Sequence, residues 1–211
     1  RDWNLSSQNI NIPANENAIS ASFNLNKANE QSILYQFKSF LRQDNYTGLM
    51  NLLSVNLNKR NFKLLFNGSY LSSKATVGNT DFFRSTTDFS KTIKKIVAGI
   101  KQEAEHNKIY IDDSLSATGL WYDQYGAYIG SSENMTKAKF LFDYFRRFDK
   151  GIVNNQFEDV AYTDNASITA GFKPGKNSTI EIGGNYRKLK LTDTVANTLV
   201  PSETFLGKIN Y

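Results

Sequence analysis

The feature that most constrains the fold of this chain is an alternation of apolar and polar residues along runs of roughly nine or more positions. In residues 18–26, Ile19, Ala21, Phe23 and Leu25 alternate with Ser and Asn. Because successive side chains of a β-strand point to opposite faces, this spacing predicts a strand with one apolar and one polar face. The alternation recurs at 32–42, 47–57, 62–70, 84–93, 96–106, 120–130, 136–147, 165–173, 179–191 and from 203 onward. The sequence therefore predicts about eleven strands.

The connections between these predicted strands differ in length in a regular way. Longer links alternate with short polar ones, and only the short link near Asp44 breaks the order. The short links are Lys27–Glu30, Asn58–Asn61, Lys94–Lys95, Ser131–Met135 and Pro174–Ser178, and the longer ones are Leu71–Asp81, Asn107–Thr118, Asp149–Asp164 and Asp193–Pro201. Transmembrane barrels have short turns on one side of the membrane and larger loops on the other. We therefore expect an all-β fold, an antiparallel up-and-down meander of about 10–11 long strands that forms part of a transmembrane β-barrel.

The length of the predicted strands separates this interpretation from a soluble one. Soluble sheets have strands of about 5–6 residues on average, whereas a tilted strand needs about 9–11 residues to cross a bilayer. The apolar positions also mix Phe, Tyr, Ala and Gly, where a soluble core would favour Val, Ile and Leu. A soluble or surface-exposed β domain with an adhesive or carbohydrate-binding role remains the alternative, since β-sandwiches also alternate strands and turns.

The sequence contains few of the residue types and motifs that enzymes use in catalysis. The chain has one histidine and no cysteine, and it lacks the nucleophile-elbow, dinucleotide and zinc-protease motifs. His106 lies beside Glu103 and Glu105, but on a strand the two carboxylates share one face and the imidazole takes the other, so the prediction is a solvated strand end. We expect no enzyme, no cofactor and no metal site. The net charge of +5 is spread along the chain, so we expect no nucleic-acid partner either.

Two sets of polar residues are candidate functional residues. Residues on the polar side of the predicted strands would face a mixed-charge lumen: Gln36, Lys38, Lys63, Asn67, Lys139, Asp143, Glu181, Asn185, Arg187 and Lys208. Basic residues at strand ends that lead into the longer links could contact lipopolysaccharide phosphates: Arg146, Arg147, Lys150, Lys188 and Lys190. The expected partners are outer-membrane lipid and lipopolysaccharide.

The length and composition of the strands resemble those of a known family. Long strands rich in Asn and Lys, such as ASITAGFKPGKNSTIEIGGNYRKLKL and KAKFLFDYFRRFDK, are similar to those of the large outer-membrane barrels of the Bacteroidota. The resemblance implies a bacterial outer-membrane location and a role as an uptake channel, a TonB-dependent receptor or an export translocon. It assigns residues 1–17 to an approach segment and 18–211 to a partial barrel. An odd strand number implies that further strands complete the barrel, because bacterial single-chain barrels close with an even number.

Overall fold

A computed structural model describes residues 16–27, 31–42, 46–76, 78–112, 114–116, 118–132, 138–175, 178–192 and 199–210. Apart from its last two residues, the predicted approach segment at 1–17 lies outside the described residues. Within the described residues the chain is almost entirely β-strand. The strands are β1 (Glu16–Lys27), β2 (Gln31–Arg42), β3 (Tyr46–Lys59), β4 (Phe62–Ala75), β5 (Gly78–Ile93), β6 (Ile96–Ile111), β7 (Ser114–Leu115), β8 (Leu120–Ser131), β9 (Ala138–Val153), β10 (Gln156–Gly175), β11 (Ser178–Thr192) and β12 (Leu199–Asn210).

All of these strands belong to one antiparallel sheet in which neighbours in sequence are neighbours in space. The order is β1-β2-β3-β4-β5-β6-β8-β9-β10-β11-β12, and the two-residue β7 pairs with the end of β6. This arrangement confirms the predicted all-β, antiparallel up-and-down meander. Among the ladders of the described residues none joins β1 to β12, so both outer edges of the sheet are open.

The connections correct the predicted alternation of short and long links. We call the two ends of the sheet the Lys94 end, after the turn at Lys94–Lys95, and the Asn154 end, after the turn at Asn154–Asn155. The predicted long links at 71–81 and 149–164 are wrong as loops, because β4 and β5 continue to Ala75 and Gly78, and β9 and β10 continue to the turn at Asn154. Outside an apolar environment a strand is stabilised by its backbone hydrogen bonds and needs no alternating apolar side chains. Its sequence can therefore be as polar as that of a loop.

Positive φ angles explain the tightness of several turns. Arg60 and Lys94 have φ of 56°, and Asn154 and Asn155 have φ of 50° and 63°. Two consecutive residues with positive φ define a type I′ turn, whose twist matches that of the flanking strands. Asparagine tolerates this conformation better than other non-glycine residues, because its short polar side chain bonds locally. The Asn154–Asn155 pair therefore fixes the β9–β10 hairpin.

The ladder registers divide the side chains between two faces of the sheet. Ile100 is opposite Phe89 and Ala127, and Phe142 is opposite Ile129 and Ile168. Opposed residues of an antiparallel pair project to the same side, so these side chains share one face, which we call the apolar face. The other is the polar face. Of 28 exposed large apolar or aromatic side chains among the described residues, 24 lie on the apolar face; the exceptions are Ile111, Leu120, Leu141 and Leu191.

This sheet has no hydrophobic core among the residues described. The buried apolar side chains there are Ala104 and Tyr122, and no large side chain is fully buried. A soluble domain covers its apolar sheet face with a second layer of structure. Here the apolar face has no such cover within the described part of the chain.

Candidate functional site

The half of the apolar face nearest the Lys94 end is mostly apolar, with Lys91 near its edge, and we call it the apolar band. Ile100, Ile168 and Ile182 in this band are 59%, 56% and 57% exposed. Phe140 and Phe142 continue the band on β9. Leaving this much apolar area in water is costly, at about 25 cal/mol per Å². The band therefore requires an apolar environment outside the sheet.

A row of tyrosines marks the border of the apolar band. Each tyrosine hydroxyl in this row donates to a polar side chain that lies two positions nearer the Asn154 end on the neighbouring strand. The bonds run from Tyr35 to Asn51 (2.7 Å), from Tyr70 to Asp81 (3.3 Å) and from Tyr144 to Asp164 (2.7 Å). The rings thus adjoin the band and the hydroxyls point away from it. Aromatic side chains that combine an apolar ring with a polar hydroxyl or N–H group are enriched at membrane–water interfaces.

On β6 and on β8 to β11 the same face becomes cationic and aromatic toward the Asn154 end. The ammonium groups of Lys108 and Lys150 lie 4.9 and 5.3 Å from the centre of the Trp121 ring. On the neighbouring strands Arg146 and Lys190 lie 5.3 and 5.1 Å from the centre of the Tyr162 ring. These are cation–π distances. We call this region, which also includes Phe148 and Lys188, the cationic rim.

Two carboxylates within the cationic rim make short contacts with side chains other than its lysines. Asp164 accepts bonds of 2.6 and 2.9 Å from Arg146 in addition to the Tyr144 bond. Asp123 lies 2.9 Å from His106 Nε2 and accepts a 3.0 Å bond from Trp121 Nε1.

His106 itself was expected at a solvated strand end. The structure instead stacks its ring on Trp121, with centroids 4.0 Å apart, on the face opposite Glu103 and Glu105. The alternation of faces was therefore right, and the solvated environment was wrong because the cross-strand neighbours supply an aromatic partner.

The polar face carries a network of charges centred on β5, β6, β8 and β9. Arg84 lies 3.6 Å from Glu103 and 3.7 Å from Glu105. The buried Tyr122 donates a 2.7 Å hydrogen bond to Glu103, and the Arg147 guanidinium lies 3.9 Å from the centre of its ring. Nearer the Lys94 end, Lys101 pairs with Asp143 at 3.0 Å. The network presents both signs of charge side by side.

Small residues leave a depression on the polar face near the Lys94 end, which we call the hollow. Gly130, Gly171 and Gly183 lie on adjacent parts of β8, β10 and β11, and Lys139 and Glu181 border the hollow that they leave. A Cβ atom added at Gly130 would lie 2.8 Å from the carbonyl oxygen of Phe140. The hollow thus depends on glycine at a close backbone approach.

The registers place the predicted lumen residues on the polar face. This group comprises Gln36, Lys38, Lys63, Asn67, Lys139, Asp143, Glu181, Asn185 and Arg187. The backbone of Lys208 pairs with Gly183, and its side chain lies outside the described part of the chain. Arg146, Lys150, Lys188 and Lys190 lie on the apolar face in the cationic rim. Arg147 lies on the polar face over Tyr122, so the strand geometry separates it from the lipopolysaccharide set.

Sequence reasoning missed the residues that act through cross-strand contacts. Arg84, Glu103 and Tyr122 in the polar network, and Lys108, Trp121 and Tyr162 in the cationic rim, come together only through the register of neighbouring strands. Within the described residues, no group of three or more His, Cys, Asp or Glu side chains could hold a metal ion. No helix in that part of the chain has the length and hydropathy needed to cross a bilayer.

These surfaces define a class of structure: a single-layer antiparallel sheet with an apolar band on one face and a mixed-charge surface on the other. Searches with protein-family models and against curated proteins find no match to the chain. Among solved structures, the chain is similar to the crystal structure of Acinetobacter baumannii OccAB3, with 11% sequence identity, a TM-score of 0.46, and coverage of 91% of this chain and 53% of that chain. The chain thus spans about half the length of OccAB3.

Proposed function

We propose that this chain forms part of the wall of a β-barrel in a bacterial outer membrane. The observation that carries the proposal is the exposed apolar band on a sheet that has no core among the described residues. In this arrangement the band contacts lipid, and the polar face lines the lumen. Hydrocarbon replaces the second protein layer that a soluble sheet would need.

The dimensions of the band support a membrane-spanning role. On β11 the stretch from Ser178 to Tyr186, which lies in register with Tyr144 of the tyrosine row, approaches the length of about 9–11 residues that a tilted strand needs to cross a bilayer. The tyrosine row then lies at one membrane surface. The strands continue past it, as β9 does to Val153.

Backbone chemistry requires such a sheet to close. Within hydrocarbon every N–H and C=O group needs a protein partner, so open sheet edges do not occur there. Because β1 and β12 do not pair with each other, additional strands would complete the barrel. The extension of the strands beyond the band at the Asn154 end favours an extracellular location for that end, since outer-membrane barrels are longer on the extracellular side.

The lumen would be polar and carry both charges, with the predicted lumen residues and the Arg84–Glu103–Tyr122 network on its surface. A surface of this kind suits water and polar solutes or the docking of a plug. The proposed role is physical, without a catalytic step or cofactor: the wall of a pore, an uptake receptor or an export conduit, of the type found in the large Bacteroidota barrels. Nucleic acid is not an expected partner.

The alternative of a soluble or surface-exposed adhesive β domain requires a cover for the apolar band. A contiguous exposed apolar surface marks a membrane or protein contact. The tyrosine row favours the membrane, because its hydroxyls all point toward the polar end of the face. A protein cover would impose no such common direction.

The test is fractionation of cells that express the full-length protein. We expect it in the outer-membrane fraction, extracted only by detergent, with a migration in gels that changes on heating because the closed barrel resists unfolding by the gel detergent. A protein that is monodisperse in buffer without detergent, and that migrates identically before and after heating, would refute the proposal.

A further inference from the structure

We propose that the cationic rim binds the phosphorylated headgroup of lipopolysaccharide; this inference rests on the proposed function. The feature that points to a ligand is the convergence of two cations on each of two aromatic rings. Lys108 and Lys150 approach Trp121, and Arg146 and Lys190 approach Tyr162. Like charges gathered in pairs repel one another, and an anion placed between them would relieve that repulsion.

Most of the acidic residues nearby make their shortest contacts with side chains other than these lysines. Asp164 is bonded to Arg146 and Tyr144, and Asp123 to His106 and Trp121. Asp81, which is opposite Lys108 in the ladder, accepts hydrogen bonds from Tyr70 and Ser72. The carboxylate nearest to Lys150 is Asp159, at 3.6 Å, and its side chain is 74% exposed. Exposed pairs of this kind are weak and screened by salt. Arg146 is therefore a positioned cation, and Lys108, Lys150 and Lys190 are the groups that meet the phosphates.

The position of the rim identifies the kind of anion. The rim lies on the same face as the apolar band and directly beyond the tyrosine row, at the level where lipid headgroups begin. A soluble anion would have no need of this position. A lipid would anchor its acyl chains along the band while its phosphates reach the lysines, and Trp121 and Tyr162 would form the floor of the site.

Arg147 provides an internal contrast within one strand. It follows Arg146 in sequence, yet it lies on the polar face and pairs with Asp149 at 2.7 Å. The inference therefore assigns lipid binding to Lys108, Lys150 and Lys190, with Arg146 as a positioned cation, and it excludes Arg147.

The experiment measures lipopolysaccharide binding to the purified full-length protein in detergent. The test variant is Lys108→Gln/Lys150→Gln/Lys190→Gln, and the matched control is Lys38→Gln/Lys63→Gln/Lys139→Gln, which removes three lysines from the polar face.

A basic residue near a lipid surface contributes about fivefold in affinity, so the three rim lysines together account for roughly 100-fold. We expect that loss in the test variant and less than about threefold in the control. Dephosphorylated lipopolysaccharide should bind wild type as weakly as intact lipopolysaccharide binds the test variant.

Several results would overturn the inference, and they differ from failure of the proposed function. Equal losses in the two triple variants, or equal binding of the dephosphorylated lipid, would show that the rim does not recognise lipid phosphate. Competition by millimolar inorganic phosphate alone would show an anion site without lipid specificity. If the wild type needs no detergent and migrates the same before and after heating, the proposed function itself fails.

Discussion

The two halves of the apolar face share one β-ladder and differ in chemistry. Near the Lys94 end, Ile100 and Ile182 are more than half exposed. Near the Asn154 end, the same face carries Lys108, Trp121 and Asp164. On β9 the change occurs at Tyr144, between Phe142 and Arg146. Strand length therefore reflects the extent of backbone pairing, and the chemistry of the apolar face changes along that length.

This difference implies that the free-energy cost of a charged side chain depends on its position along the strand. An arginine on the lipid face of a barrel costs about 2–4 kcal/mol at the bilayer midplane and about 0–1 kcal/mol near the interfaces. An added charge is thus expected to cost more in the band than near the Asn154 end of the same face. In water the two halves would respond alike.

The largest expected effect comes from placing a charge in the middle of the band. Ile182→Arg should lower the free energy of unfolding by about 2–4 kcal/mol, measured by denaturant titration in lipid vesicles. Thr47→Arg, on the same face near the Asn154 end, should cost at most about 1 kcal/mol, and Asn185→Arg, on the polar face of the same strand as Ile182, should cost about 0.5 kcal/mol or less. Similar values for all three variants would remove the distinction between the two halves of the apolar face.

A smaller effect should follow from removal of a tyrosine hydroxyl, and its size should depend on burial. Tyr122→Phe breaks the 2.7 Å bond to Glu103 at a side chain that is 7% exposed, so we expect a loss of about 1.5–2 kcal/mol. Tyr144→Phe breaks a bond of equal length to Asp164, but Asp164 keeps both Arg146 bonds, so the loss should stay below about 1 kcal/mol. Equilibrium unfolding of both variants measures the difference. A reversed order would contradict the described environments.

The smallest expected effect lies at the turn that ends the β9–β10 hairpin. Asn154 has a positive φ, which an alanine adopts at a cost of roughly 1 kcal/mol and glycine adopts freely. Asn154→Ala should therefore be about 1 kcal/mol less stable than Asn154→Gly in the same unfolding assay. Equal stabilities would argue against the type I′ turn, and thus against strands that continue to the Asn154 end.

Period-two alternation predicted the strands and the assignment of residues to faces, because both follow from the local geometry of an extended chain. It failed at 71–81 and 149–164, where the structure continues the ladder through polar residues. Outside an apolar environment, a strand is stabilised by its backbone bonds, and its side chains need not alternate in polarity. Contacts such as His106 with Trp121 depend on register between strands, which no single stretch of sequence specifies.

The most direct test of the account is a nitroxide scan of β10 in lipid vesicles, made with single cysteines at each position from 162 to 172 of a chain that has no native cysteine. Collisions with oxygen, which dissolves in lipid, and with a water-soluble nickel complex are measured at each site. We predict that labels at Ala166, Ile168, Ala170 and Phe172 favour oxygen, that labels at Ser167, Thr169 and Gly171 favour nickel, and that labels at Tyr162 and Asp164 return to nickel although they share the apolar face. Nickel contact at every position, or oxygen contact that continues unchanged to Tyr162, would contradict the account.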